Sequence, residues 1–310
     1  MKEYLIGAGG WAYFQVPGLH PLIAYSRAFN FVEVNSTFYQ LPSTNEVENW
    51  RKLVPSDFQF SVRAHRSITH DNKLQPKTET FKALEKTKEI CRALKANIMH
   101  LQTPPSLKLD SASASNLDNL LTSADLGKIR IALEVRNARS SELAPELVGV
   151  MQDHGIIHCV DLLRGQKPAY PSDTLYTRLF GKGSHNTYQP TDEELAEVDH
   201  EASSGSFEKV AMSFHFVRMY KDAARMKIYK QTGKFPTITK SVGLYSLDEI
   251  LVEDAHFPMT KQELIYSQGW KLFDMTKDRK MHASDLLTKL PERTYNNINE
   301  VIEGLRPTVR

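Results

Sequence analysis

The sequence predicts an α/β protein in which eight strands alternate with helices and close into a barrel. Eight short apolar segments recur between Tyr4 and His215, and most of them are followed by a stretch with helical spacing. Such alternation favours parallel strands joined by right-handed crossovers. Eight units in about 250 residues is the size of a TIM (β/α)8-type barrel. A doubly wound open sheet is the alternative, but eight units would be many for it and no dinucleotide-binding fingerprint is present.

Each unit begins with a strand that is recognised by its two-residue period or by its apolar run. The first strand ends in GAGGW, which is not GxGxxG, so we expect a tight turn beside a pocket rather than a nucleotide loop. Strands are predicted at Tyr4–Ile6, from Phe31, and at Phe58–His65, Asn97–Gln102, Lys128–Arg136, Ile156–Asp161, Leu175–Phe180 and Val210–His215. Helices are predicted at Pro21–Phe29, after Ser43, and at Lys77–Leu94, Ser113–Ala124, Glu142–His154, from Asp192 and at Met219–Gln231.

The strand–helix alternation stops at Phe235. Ser246–Val252 and Lys261–Tyr266 have the character of short helices, and a turn at Thr294–Asn297 precedes a last helix. We therefore expect a barrel domain at residues 1–235 and a small, mostly helical accessory domain at residues 236–310. A protein partner that binds the accessory domain is one hypothesis for its role.

The bulk composition indicates a cytoplasmic globular protein. The chain is 41% hydrophobic and 25% charged, and its formal net charge of +2 is too small to indicate a polyanion partner by itself. No run of 18 apolar residues and no signal-peptide core occur, so no membrane association is expected. The two cysteines, Cys91 and Cys159, lie outside any CxxC or Cys/His cluster, which is typical of buried reduced thiols.

The stretch FVEVNSTFY, residues 31–39, predicts a functional site. Its alternation places Glu33 and Asn35 on the same side of a strand as Phe31, opposite two valines. Burying a carboxylate and an amide costs several kcal/mol unless partners satisfy them. Polar residues, including Tyr39, then follow the strand end. This combination indicates a site rather than an apolar core.

The same argument applies to every strand of a barrel, because the last inward side chains form its catalytic face. His70, in the loop after the third strand, can reach over this mouth as an acid or a ligand, and a solvated loop histidine is the alternative. The inward set at the strand ends is Glu33, Asn35, Arg63, His65, Gln102, Glu134, Arg136, Asp161, Arg178 and His215.

Three interpretations of this set remain open. The charges can neutralise one another as a structural ion-pair network, although burying so many for structure alone is energetically poor. Carboxylates and histidines can bind a divalent metal that activates water, but no cofactor is required by the sequence. The three arginines favour an anionic ligand, because planar guanidinium groups suit phosphate and carboxylate. Glu33 or Glu134 is then a candidate general base.

A basic helix offers a separate nucleic-acid hypothesis. Arg218, Lys221, Arg225, Lys227, Lys230 and Lys234 follow the last strand of the barrel. They are compatible with a strip of phosphate contacts, but a solvated helix face is the simpler interpretation.

Several blocks also resemble the YecE-like family, the domain of unknown function numbered 72. These are IGAGGW, FVEVNSTFYQLPS, FQFSVRAHRSITH, LQTPPSL, IALEVRN and YTRLFG, in this order, from Tyr4 to Gly181. The resemblance implies a TIM-barrel-like fold, and the likeness of that fold to zinc-dependent apurinic endonucleases suggests phosphodiester or nucleic-acid chemistry. The family usually has histidines where Asn137 and Phe180 stand, and an Asn-Asn pair where this chain has His215-Phe216. The resemblance implies roles for Glu33, Asn35, Tyr39, His70, Gln102, Glu134, Arg136 and Arg178.

The resulting hypothesis is a hydrolase or lyase that acts on a phosphorylated or otherwise anionic substrate, such as a phosphate ester. Its alternatives are a nucleic-acid-binding protein and a non-catalytic binding module. The candidate catalytic residues are Glu33, Glu134, His70 and Asp161. The candidate substrate-binding residues are Asn35, Tyr39, Arg63, His65, Gln102, Arg136, Arg178 and His215.

Overall fold

A parallel eight-stranded sheet forms the first part of the chain in the computed structural model, which describes residues 2–136, 143–183 and 186–308. The strand order is β6-β5-β4-β3-β2-β1-β8-β7, and a parallel bridge between Val160 and Thr177 joins β6 to β7. The sheet therefore closes, and the predicted TIM-type barrel is confirmed. Its strands are β1 (Glu3–Ala8), β2 (Phe31–Val34), β3 (Gln59–Arg63), β4 (Ile98–Gln102), β5 (Arg130–Glu134), β6 (Ile157–Cys159), β7 (Thr174–Leu179) and β8 (Lys209–Phe214).

Helices follow most of these strands, as the sequence predicts. The predicted start of the fifth helix, Glu142, lies outside the described residues. The helices are α1 (Pro21–Ala28), α2 (Thr44–Lys52), α3 (Thr78–Leu94), α4 (Ser111–Thr122), α5 (Pro145–Asp153), α6 (Asp192–Ser204) and α7 (Met219–Thr232). Within the described part of the chain, every helix is too short or too polar to cross a lipid bilayer.

The interior of the barrel is apolar in its lower part and polar at the carboxyl ends of the strands. A buried cluster fills the lower part, and it comprises Leu5, Phe31, Ile98, Ala132, Ile157, Cys159, Tyr176 and Ala211. Two residues further along β2, the inward position is occupied by Glu33 instead of an apolar side chain, and it is fully buried. Successive inward positions of the strands, two residues apart, thus belong first to the apolar core and then to a charged layer.

Two glycines allow the close packing around β1. A Cβ atom at Gly7 would lie 1.9 Å from the carbonyl oxygen of Phe31, and one at Gly9 would lie 2.3 Å from Cε1 of His215. Both distances are far inside van der Waals contact. The glycines of the GAGGW segment therefore bring this strand end against its neighbours, which include a predicted site residue.

The chain divides into two compact units. The first contains residues 1–179, 199–215 and 219–224, and the second contains residues 180–198, 216–218 and 225–310. All eight barrel strands belong to the first unit. The predicted boundary after residue 235 stays a prediction, and the second unit also includes shorter segments that precede it.

The second unit has a buried apolar core of its own. It is formed by residues such as Leu247, Phe273 and Leu286 on short elements of the C-terminal part. The predicted helices are present, but the sequence analysis did not predict four short strands, because strands of two to five residues show too little periodicity. The elements are α8 (Leu244–Val252), β9 (Met259–Thr260), α9 (Lys261–Gln268), β10 (Leu272–Thr276), β11 (Arg279–His282), α10 (Ser284–Leu287), β12 (Thr294–Tyr295) and α11 (Ile298–Leu305), with β10 pairing β11 and β9 pairing β12.

Candidate functional site

Arg178 on β7 is the centre of a buried ionic network, here called the buried frame, formed by Glu33, Glu134, Tyr176 and Arg178. Its Nε and Nη2 atoms each donate to one carboxylate oxygen of Glu33 at 3.0 Å. Its Nη1 atom pairs with Glu134. The Tyr176 hydroxyl donates to Oε2 of Glu33 at 2.7 Å. This bidentate geometry and the shared hydrogen bonds are what a buried ion pair needs to offset its desolvation.

The charges in the buried frame stabilise one another. Burial by itself would raise the pKa of Glu33, but the positive charge of Arg178 outweighs this effect and holds that pKa well below its usual range. Burial opposes ionisation of Glu134 in the same way, and Arg178 again overcomes it and lowers the pKa. Burial lowers the pKa of Arg178, but the two carboxylates raise it by more, so the net effect is an increase in that pKa. All three groups are therefore ionised at neutral pH.

Two histidines that face the buried frame are neutral. Burial, followed by the charge of Arg178, lowers the pKa of His215 to about 3 and also lowers the pKa of His100. Nε2 of His215 lies 2.9 Å from Oγ of Ser213 and 3.6 Å from Glu33. His100 stacks on the Tyr176 ring at 5.8 Å, with Nε2 3.3 Å from Glu134. These rings line the site as neutral polar groups.

Gln102, at the end of β4, brings the three predicted arginines to one point. Its Oε1 atom accepts from Arg178 at 2.7 Å, from Arg63 at 3.1 Å and from Arg136 at 3.4 Å. Arg136 also pairs with Oε1 of Glu134 at 2.5 Å. Three guanidinium groups thus share one uncharged oxygen, and the sequence prediction that they converge is supported by these distances.

Arg63 differs from the other two arginines, because its charge has no direct partner. Its Nη1 atom donates to Asn35 Oδ1 at 2.8 Å, and its guanidinium lies 3.7 Å from the Phe38 ring centroid. Among the described residues, its Nε has no hydrogen-bond partner and no carboxylate lies within ion-pair distance. Burial and then Arg178 lower its pKa to about 10. Arg63, Arg136 and the buried frame together contain three arginines and two glutamates. The mouth therefore has one surplus positive charge.

His70 lies at the rim of the mouth. Its ring meets Phe38 edge-on at 4.8 Å, and Nδ1 lies 2.8 Å from the Thr69 hydroxyl. The side chain is half-buried. Burial, followed by the charges of Arg63 and Arg66, lowers its pKa, so the imidazole is neutral at pH 7 and can accept a proton.

Three other predicted site residues have local contacts. Tyr39 is 69% exposed and meets Phe38 edge-on at 5.0 Å. Nδ1 of His65 lies 2.8 Å from the Ser67 hydroxyl in the turn after β3. Asp161 accepts from the Leu163 N–H at 3.0 Å and pairs with Arg164 at 3.4 Å, so it caps the short helical turn that follows β6. These contacts give Asp161 a structural task at its own strand end.

The sequence analysis missed several residues of the site. Tyr176 and His100 are each two residues before a predicted residue on the same strand face, and they lie one layer deeper in the barrel. The two-residue period was enough to find them, but the prediction stopped at the last inward position of most strands. Phe38 follows β2 in a helical turn, and no periodic signal could place its ring against Arg63.

The donor set at the centre fits a divalent metal poorly. Atoms of His100, Glu134 and Cys159 lie within 4.8 Å of one another. Burial raises the pKa of the Cys159 thiol, and Glu134 adds to this effect, whereas a metal needs the thiolate. Arg178, which pairs with Glu134, places a positive charge beside the same atoms. The cluster is therefore better explained as part of the packed interior.

The basic helix provides fewer free charges than the sequence suggests. Arg218 pairs with Glu253, and Arg225 pairs with Asp192 at 2.6 Å. Both arginines are buried. Of the positions at which the family pattern differs, Asn137 lies outside the described residues, and Phe180 and Phe216 belong to the second unit.

Fold and site together define a TIM-barrel protein whose strand ends carry a positively charged mouth above a buried ionic network. The sequence model of the family described as "Protein of unknown function DUF72" matches residues 5–230, and the chain belongs to this family. This confirms the resemblance to the YecE-like family.

The relatives agree with this assignment. UPF0759 protein YunF of Bacillus subtilis is 28% identical over 146 residues, which is 45% of this chain and 51% of YunF. UPF0759 protein YecE of Escherichia coli K12 is 38% identical over 58 residues, which is 19% of this chain and 21% of YecE. The chain thus spans about half or less of the length of these relatives.

Solved structures show the same fold. A DUF72 family protein from Thermotoga maritima aligns with a TM-score of 0.59 at 20% identity, over 74% of this chain and 99% of that one. A second DUF72 family protein, from Enterococcus faecalis V583, aligns with a TM-score of 0.58 at 16% identity, over 76% of this chain and 99% of that one. At these identities the similarity supports the fold alone.

Proposed function

We propose that this protein is an enzyme, a hydrolase or a lyase, that acts on a small substrate carrying a phosphate or carboxylate group at the mouth of the barrel. The observation that carries the proposal is Arg63, a residue that is 7% exposed and whose guanidinium contacts amides and an aromatic face instead of a carboxylate. A nearly buried charge without a counterion is costly unless a ligand supplies the opposite charge.

The two arginines at the rim bind the anion in this proposal. Arg63 and Arg136 both touch Gln102, and the Arg136 side chain is 31% exposed, so a ligand can reach it. The buried frame holds these groups in place, and of its four members only Glu134, whose side chain is 12% exposed, is accessible to a substrate. Glu33 in particular is fully buried and has a depressed pKa, which makes it a weak proton acceptor.

His70 is the favoured proton-transfer group. It is neutral at pH 7 and partly accessible, and its ring meets Phe38, whose face packs against the guanidinium of Arg63. Hydrolysis and elimination both need a group that moves a proton, together with cations that stabilise the developing negative charge. Glu134 has a 12% exposed side chain and remains a second candidate.

A small ligand is favoured over a nucleic acid. The surplus charge at the mouth corresponds to one anionic group, and two arginines of the basic helix are buried and paired with carboxylates. A polynucleotide would need many phosphate contacts, which would make binding steeply dependent on salt.

The first test is calorimetric titration of the protein with inorganic phosphate. Arg63→Gln should weaken binding about 10- to 100-fold, because charge-assisted hydrogen bonds contribute about 1.5–3 kcal/mol. Arg51→Gln is the matched control. Arg51 also donates to carbonyl groups and lies 5.4 Å from a phenyl ring, but it contacts residues near the opposite end of β3. Equal phosphate affinity in the Arg63 variant and the wild type would refute the anion site.

The second test addresses turnover. The protein is incubated with p-nitrophenyl phosphate, bis(p-nitrophenyl) phosphate and a set of phosphorylated metabolites, and products are followed by absorbance and mass spectrometry. For any substrate that is turned over, His70→Asn should lower kcat by at least 100-fold with little change in KM. Phosphate binding without turnover of any compound would favour the non-catalytic binding module.

A further inference from the structure

A second cavity, separate from the arginines of the mouth, lies beside it. Its volume is about 490 Å³, within the range of small-molecule sites. Its lining includes aromatic and polar side chains, among them Trp11, Tyr13, Trp50, His20, Asn35 and Glu46. All six belong to the first unit.

The aromatic walls are accessible to a ligand. Trp11 and Trp50 meet edge-to-face at 5.1 Å, and neither is fully buried. Tyr13 is 83% exposed. Large aromatic side chains gathered in a concave, accessible position form an apolar surface against which a flat ring can pack.

The polar groups of the cavity have unused hydrogen-bonding capacity. Nδ1 of His20 accepts from the Leu22 N–H at 3.2 Å, so in the neutral ring the proton is on Nε2, which can donate. The side-chain oxygen of Asn35 accepts from Arg63, which leaves the side-chain NH₂ group of Asn35 as a donor. The Glu46 carboxylate, an acceptor, makes no hydrogen bond or ion pair with any described residue. The cavity thus offers both donors and acceptors.

We propose that this cavity binds the sugar ring of the substrate, so that the substrate is a sugar carrying a phosphate or carboxylate group. The inference rests on the proposed function, because the anionic group would be held by Arg63. Asn35 connects the two sites, since it lines the cavity and bonds that arginine. A sugar presents C–H groups that pack on indole faces, and its hydroxyls both donate and accept, which matches the three polar side chains.

The test uses tryptophan fluorescence and calorimetry on the full chain. The sequence has three tryptophans, and Trp270→Phe leaves only the two that line the cavity. The probes are inorganic phosphate, glucose, glucose 6-phosphate, ribose 5-phosphate and adenosine 5′-monophosphate. We expect the two sugar phosphates to bind at least tenfold more tightly than inorganic phosphate and to change the emission of the Trp270→Phe protein. Calorimetry on the wild type gives the same comparison should Trp270→Phe fail to fold.

Two variants separate the sugar site from the anion site. Trp50→Ala should remove the tenfold higher affinity of the sugar phosphates relative to inorganic phosphate, because the loss of one stacking surface typically weakens binding by about tenfold. The affinity for inorganic phosphate should be unchanged. Glu46→Gln, which keeps the size of the side chain, should reduce the same advantage by several-fold. Arg63→Gln should weaken every phosphorylated probe.

Each contrary result has a distinct meaning. If sugar phosphates bind no more tightly than inorganic phosphate, the sugar site is wrong and the proposed anion site survives. If glucose binds as tightly as glucose 6-phosphate and Arg63→Gln has no effect, the proposed function is wrong. If adenosine 5′-monophosphate binds at least tenfold more tightly than ribose 5-phosphate and loses this gain in Trp50→Ala, the cavity binds a nucleobase and the sugar assignment is overturned.

Discussion

The buried frame and the rim of the mouth each contain arginine, but the charge of that arginine is balanced in one region and not in the other. In the buried frame, Arg178 is 1% exposed and contacts two carboxylates, one of them with bidentate geometry. At the rim, Arg63 lies only slightly closer to solvent, and its contacts are Asn35, Gln102 and the face of Phe38. One arginine is neutralised by the protein, and the other is left for a ligand.

The far end of the barrel sharpens this contrast. A cavity of about 500 Å³ at the amino ends of the strands is also lined by charged side chains. There, however, Arg130 pairs with Asp173 at 2.5 Å and Lys209 pairs with Glu3 at 3.0 Å. Charge by itself therefore does not identify a functional site in this protein. The distinguishing feature is a charge held by neutral groups.

The largest expected effect comes from breaking the buried frame. Arg178→Met should lower the free energy of unfolding by about 3–5 kcal/mol, because it leaves Glu33 buried without its partner. Arg63→Gln should lower it by less than about 1 kcal/mol, because no buried carboxylate loses a counterion. Urea denaturation of both variants measures the difference. Similar losses in the two variants would contradict the distinction between buried frame and rim.

Acid should destabilise the protein through the same region. His215 has a folded-state pKa of about 3, so between pH 6.5 and 3 the unfolded chain binds a proton that the folded state does not. Its contribution is fully present above pH 6.5 and is lost as the pH falls. The free energy of unfolding should therefore drop by about 2 kcal/mol between pH 6.5 and 5. The lowered pKa values of Glu33 and Glu134 add a further loss below about pH 4.3.

Urea denaturation at a series of pH values measures the slope of the free energy of unfolding against pH. His215→Asn should reduce it by the contribution of one histidine, and His100 and His158, whose pKa values are also lowered by burial, should account for what is left. His154→Asn is the control, since His154 pairs with Asp118 away from the barrel mouth, and it should keep the slope. An unchanged slope in the His215 variant would assign the acid sensitivity to other groups.

A smaller effect is expected at Asp161, which the sequence grouped with the catalytic residues. Because it caps the turn after β6, Asp161→Ala should cost about 1 kcal/mol of stability and leave phosphate affinity unchanged. Denaturation and calorimetric titration of the same preparation measure both quantities. A tenfold loss of phosphate affinity with intact stability would restore Asp161 to the binding site.

The smallest effect on stability is expected at the rim of the second cavity. Glu46 is exposed and its carboxylate bonds no described residue, so Glu46→Gln should change the free energy of unfolding by less than about 0.5 kcal/mol. Thermal unfolding of the variant and the wild type gives the comparison. A larger loss would indicate that this carboxylate supports α2 rather than a ligand.

The number of strand–helix units and the inward direction of the residues that end the strands could be predicted from the sequence. Both follow from local periodicity, since side chains of a strand alternate between two faces and a closed sheet has one interior. The convergence of Arg63, Arg136 and Arg178 was therefore predictable. The family was also predictable, because its motifs occur in order along the chain.

Only the tertiary structure decided which charges neutralise one another. β2 and β7 are not neighbours in the sheet, so the pairing of Glu33 with Arg178 depends on closure of the barrel, which brings opposite walls together. The same closure places Tyr176 beneath Glu33. The position of Phe38 under Arg63 depends on a turn that no periodic pattern describes. Local sequence sets the face on which a side chain lies, but the distance between two faces is a property of the folded chain.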